Sequence, residues 1–168
     1  MEPHQAHWYE RFRFAAYLSV VGLMAITLVI ILPFHPFSYL PPIIVGGGPG
    51  VWFLLGYVLL ATVGFGGLAG LSALFFEIET DEGRRPQDTQ VAAGLVLFCI
   101  GVFATCFLLL LAGASGGYAA TIEGASSQSV ESILSPYLYP VTLTSFLTVV
   151  GAGLLVLGMA GAKAPSIE

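Results

Sequence analysis

The chain has 168 residues, 57% of them hydrophobic and only 9% charged, with a mean hydropathy of +0.90. Soluble domains carry about 25% charged residues, so this chain has too few charges to cover itself in water, and its solvent is lipid. The net charge is −5 with five Lys and Arg in all, which leaves no basic patch for a polyanion and excludes nucleic acid as a partner.

In chain order, "HWYERFRF" is an aromatic and basic lead-in that suits a membrane surface, with Trp8 as an interfacial anchor. An apolar run at 14–33 follows. It is longer than the apolar core of a signal peptide and ends in "ILPFHPF" without a small-x-small cleavage site, so it reads as an uncleaved anchor. The loop at 34–50 is rich in proline and glycine. Its "GGGPG" looks like a phosphate loop. However, Gly50 is followed by Val51 and Trp52 where a Walker loop needs Lys and Ser or Thr. The glycines read instead as a turn back into the bilayer, with Trp52 and Tyr57 as anchors of the next run.

That second run spans 51–76. A charged, turn-rich loop at 77–90, "EIETDEGRRPQDTQ", leads to a third run at 91–112. The loop at 113–140 contains "SVESILSPYLYP", which predicts a short helix stopping near Pro136. A fourth run covers 141–162. Each run has about the 20 residues needed to cross a 30 Å hydrocarbon core, without one charged side chain. The fold class is therefore all-α, an integral membrane four-helix bundle forming one transmembrane domain.

Arg11, Arg13, Arg84, Arg85 and Lys163 all fall on one side of such a bundle, which makes both termini cytoplasmic and the chain a multi-pass protein of the cell membrane. Loops 34–50 and 113–140 lie outside, and loop 77–90 inside.

The chemistry is sparse. His4, His7 and His35 lie outside the runs, so a haem held between two in-span histidines is excluded. Cys99 and Cys106 stand about two helical turns apart, too far to bond, and read as packing residues. Glu77 ends the second run, where a solvated position at the inner surface is the expectation. No charged residue lies within a span, as proton and ion carriers require. We find no nucleophile–base pair, metal cluster or acid pair, so the chain is not expected to be an enzyme by itself, and it is expected to bind no cofactor alone beyond lipid.

What the runs do contain is small residues. Gly66 and Gly70 in the second run, Gly94 and Gly101 in the third, and Gly151 and Gly158 in the fourth have spacings that let helix backbones approach in lipid. They are candidates for packing within the bundle or against another subunit.

The stretch from Gly46 to Glu79, "GGGPGVWFLLGYVLLATVGFGGLAGLSALFFEIE", resembles small multi-span proteins of archaeal energy-conserving membranes associated with haem–copper oxidases. The resemblance rests on the glycine turn, "WFLLGY", a glycine-studded span and an acid at its inner end. It implies an accessory subunit of a respiratory oxidase complex that serves electron transport, packed among other integral membrane subunits. It carries over no functional residue.

The first expectation is thus a non-catalytic accessory subunit of a membrane complex. The alternative is a small oligomeric channel or transporter, in which Thr62, Thr105 and Ser145 line a pore. A third reading is a membrane enzyme or quinone-binding protein that uses His35, Tyr39 or the outer acids.

Overall fold

The computed structural model describes residues 7–81 and 83–162. It is an all-α bundle built on four helices long and apolar enough to cross a membrane: α1 (Trp8–Ile31), α3 (Gly50–Thr80), α4 (Asp88–Thr121) and α5 (Ser127–Ala160). A short helix α2 (Leu40–Val45) lies between α1 and α3. Large apolar side chains such as Phe14, Met24, Phe107, Phe146 and Val149 stand on the outside. In water such a surface would be a liability; against lipid it is the expected one. The protein is a multi-pass membrane protein.

Helix ends follow local chemistry. α1 stops because Leu32 precedes Pro33, which disfavours helical ψ; Leu32 is extended at ψ 124°. Pro41 and Pro42 sit in the first turn of α2, where their missing N–H groups cost nothing. At the glycine turn Gly47 and Gly48 take φ of +72° and +54°, and Gly50 begins α3. The Ser126 side chain caps α5 by accepting from the Ser129 N–H at 3.4 Å.

α3 is helical throughout but not uniformly α. Gly50–Leu59 is α-helix, Leu60–Gly67 is π-helix, Leu68–Phe76 is α-helix, and Glu77–Asp81 closes in a second π stretch.

Two expectations need correction. The loop expected at 113–140 is almost entirely helical: α4 continues to Thr121, α5 begins at Ser127, and only residues 122–126 turn. The short helix expected to stop near Pro136 does not stop, because Pro136 and Pro140 lie inside α5. Each proline removes one i→i−4 bond. The carbonyl left open by Pro136 is that of Ser132, and the Ser135 hydroxyl donates to it at 3.3 Å. Both prolines are exposed.

At the outer end, Ile43 of α2 wedges against Gly50 and Gly117, and Gly113 of α4 lies directly on the Phe53 backbone. The core runs down the bundle through Phe12, Leu60, Leu68, Phe75, Phe98, Val102 and Leu155, with the Phe12 and Phe75 rings stacked at 4.7 Å.

The inner end is tied by polar contacts. The Trp8 backbone N–H donates to Glu79 Oε1 at 3.1 Å, and its indole N–H to Asp88 Oδ1 at 2.7 Å. An Arg84 N–H donates to the Ala162 carbonyl at 2.7 Å. The start of α1, the end of α3, the inner loop and the end of α5 therefore meet at one end, as a four-span topology requires. Lys163 lies outside the described residues.

Candidate functional site: a hydroxyl notch beside the π segment

Most of the α4–α5 seam is glycine against backbone. A Cβ on Gly94 would stand 2.9 Å from the Leu155 side chain. One on Gly101 would stand 2.5 Å from Thr148 N, and one on Gly158 would stand 2.7 Å from Val91. Gly151 rests on the Phe98 backbone in the same way. This close approach brings hydroxyls of the two helices together.

Thr105 on α4 is 6% exposed, one of the few buried polar side chains of the bundle. Its Oγ1 donates to Thr144 Oγ1 at 2.8 Å and lies 3.5 Å from Ser145 Oγ. Thr144 in turn donates to the Pro140 carbonyl at 2.9 Å, and Thr148 to the Thr144 carbonyl at 3.2 Å. Hydroxyls in an apolar helix commonly settle on their own i−4 carbonyl. Thr105 instead reaches across to a second helix.

Beside this cluster is a recess of about 150 Å³ lined by Leu59, Val63, Val102, Thr105, Cys106, Ser145, Thr148 and Val149. A cavity of about this volume holds one benzene-sized group. Its third wall comes from α3 at Leu59 and Val63, where α-helix passes into π-helix. π stretches inside α-helices occur frequently at functional sites. The recess thus has hydroxyls on one side, aliphatic groups on the other and irregular helix beside it. It has no charge, so it suits a small solute that is neutral overall.

Of the three hydroxyls expected to line a pore, the structure brings Thr105 and Ser145 together. Thr62 faces outward and donates to its own Val58 carbonyl at 2.8 Å. The glycines divide too. Gly94, Gly101, Gly151 and Gly158 are packed within the chain, whereas Gly66 and Gly70 are exposed, and a Cβ on Gly70 would meet nothing within 4 Å.

Among the expected anchors, Trp52 and Tyr57 are half-buried, and the Tyr57 hydroxyl pairs with Thr27 Oγ1 at 2.9 Å. Trp8 is 7% exposed and locked to Glu79 and Asp88, so it is a packed joint of the inner end. Glu77 is exposed. The acid turned inward is Glu79, whose carboxylate is 8% exposed and lies 3.5 Å from His7 Nδ1. His35 donates to or accepts from the Tyr39 hydroxyl at 2.6 Å on the exposed outer surface.

No family model matches the chain, and no solved structure matches it. Among curated proteins, 144 aligned residues are 28% identical to the branched-chain amino acid permease BcaP of Lactococcus lactis subsp. cremoris (strain MG1363). The similarity is to a permease. It covers 79% of this chain and 29% of the permease, so the chain spans less than a third of that protein's length.

The sequence alone missed the π segment and the Thr105–Thr144 bond. The only signal for the first was the glycine cluster 64–67, and for the second the shared face of Gly101 and Thr105.

Proposed function

We propose that the four helices form a transport module for a small solute that is neutral overall, working with further helices supplied by other copies of the chain. The similarity to the permease carries this reading. The hydroxyl notch supplies a place for the solute, since Thr105 and Ser145 offer hydrogen bonds within an apolar bundle and Leu59 and Val63 offer an aliphatic wall, with Val149 at the lipid-facing rim.

The solute class follows from both. An aliphatic amino acid has an apolar side chain for the wall and polar ends for the hydroxyls. The absence of any charge within the apolar runs argues against an ion as the principal cargo. No observation on the helices or in the comparisons favours the respiratory accessory subunit.

The test is uptake of radiolabelled leucine, isoleucine and valine into vesicles containing the purified chain. Uptake saturable by unlabelled leucine is expected, and it should fall about tenfold or more in Thr105→Val, which loses about two hydrogen-bonding opportunities at the notch. Vesicles that hold folded protein yet take up none of the three would refute the reading.

A further inference from the structure

The outer end of the bundle holds a recess of about 470 Å³ between the glycine turn and the first turns of α5. Its walls approach because Gly116 of α4 has no side chain: a Cβ there would stand 2.8 Å from the Leu134 side chain and 3.1 Å from Pro49. Pro49, Trp52, Ala120, Val130, Leu134 and Leu138 make the lining mostly apolar, and Glu131 is its one charged side chain. The volume falls within the range of small-molecule sites, about 300–1,000 Å³. Trp52 marks the level at which water meets hydrocarbon, and Ser127, Glu131 and Ser135 are exposed, so a dissolved solute can reach the recess.

Charge selects the occupant. Among the described residues no hydrogen bond or ion pair engages the Glu131 carboxylate. No Lys or Arg stands between positions 14 and 83 or between 86 and 162, so the outer end has none, and Glu123 adds a second acid there. The outer histidine, His35, does not line the recess and is paired with the Tyr39 hydroxyl. The backbone opposes a cation only weakly. The N-termini of α3 and α5 and the C-terminus of α4 lie at this end, each worth about half a charge, and they sum to about +0.5. The full charge on Glu131 outweighs that sum.

We propose that this recess binds a small aliphatic primary ammonium, with its nitrogen at Glu131 and its alkyl group against Val130, Leu134 and Leu138. Trp52 adds an aromatic wall, which also favours a cation. A free amino acid or a phospholipid would bring its own anion to an end with no Lys or Arg to receive it, so the simple amine is preferred over both. The site is separate from the hydroxyl notch and does not rest on the transport reading.

Equilibrium dialysis of radiolabelled 3-methylbutylamine against the full chain in mild detergent at neutral pH tests this. Saturable binding is expected, displaced by unlabelled amine at a concentration about fivefold lower than by 3-methylbutanol, which has the same alkyl group without the charge. Leucine and methylamine should compete less well than the amine, the first because it adds a carboxylate and the second because it lacks the chain. Glu131→Gln should bring the amine down to the level of the alcohol, whereas Glu123→Gln should keep most of the preference. Ala120→Phe should weaken amine and alcohol alike by filling the recess, with circular dichroism checking that each variant is folded. Absence of saturable binding would overturn the proposal, as would equal competition by amine and alcohol or an unchanged preference in Glu131→Gln. Leucine competing as well as the amine would overturn it too, and so would methylamine doing so, since charge alone would then account for the binding.

Discussion

Two sets of glycines look alike in the sequence and behave differently in the structure. Gly94, Gly101, Gly151 and Gly158 are seven apart on their helices and form a seam in which α4 and α5 meet backbone to backbone. Gly66 and Gly70 have the small-xxx-small spacing that favours helix association, yet they face outward with no helix of this chain against them. Spacing thus marks where a backbone can be approached. Whether it is approached depends on what else lies on that face. The α4 seam alternates glycines with Val91 and Thr105, whose side chains reach α5, and with Phe98, whose backbone receives Gly151 while its ring turns to Gly67 of α3. The Gly66–Gly70 ridge is flanked by exposed Thr62 and Ala73, which offer little to hold a neighbour.

The sharpest way to break this contrast is substitution at the seam. Gly151→Leu would place a side chain into the Phe98 backbone, and Gly101→Leu would do the same at Thr148. Overpacking costs typically about 1–3 kcal/mol and more where the backbone itself is in the way. Both variants should lose the monodisperse peak in size-exclusion chromatography or melt well below the parent in a thermal scan.

Next in size is the inner joint. Trp8→Phe keeps an aromatic ring, though a smaller one, and removes the indole donor to Asp88; it should cost at least about 1 kcal/mol in a denaturant titration in mild detergent. The Thr105→Val change should cost less stability, about 0.6 kcal/mol, the average for a hydrogen bond between membrane helices, while its effect on uptake is the larger one. Smallest of all is Gly70→Leu, which should leave monomer stability within about 0.5 kcal/mol of the parent. A large loss there, measured at a dilution where the chain is monomeric, would mean that the ridge is packed after all.

Much of the architecture was legible because lipid imposes simple rules. Four long runs without charge give four helices, and Pro33 marks the end of α1. The features that were not legible depend on partners distant in sequence or on backbone geometry without a side-chain signature. Trp8 reads as a surface anchor until Asp88, eighty positions away, is found to hold its indole N–H. Pro136 reads as a stop, yet α5 passes it because the proline is exposed and Ser135 serves the carbonyl freed at Ser132. The π stretch at Leu60–Gly67 leaves no periodic pattern in so apolar a segment. Half of the candidate site, Thr105 and Ser145, was visible as polar residues in apolar runs. Their meeting, and the exclusion of Thr62 from it, depends on the rotation of the helices that the glycine seam sets.

The central claim is that the solute occupies the notch, and Cys106, which lines it, offers the most direct check. In a Cys99→Ala background reconstituted in vesicles, a membrane-permeant maleimide would report on Cys106 alone. The account expects leucine at saturating concentration to slow the labelling of Cys106, and the protection to vanish in Thr105→Val. Labelling that proceeds at one rate with and without leucine, in vesicles that take leucine up, would contradict it.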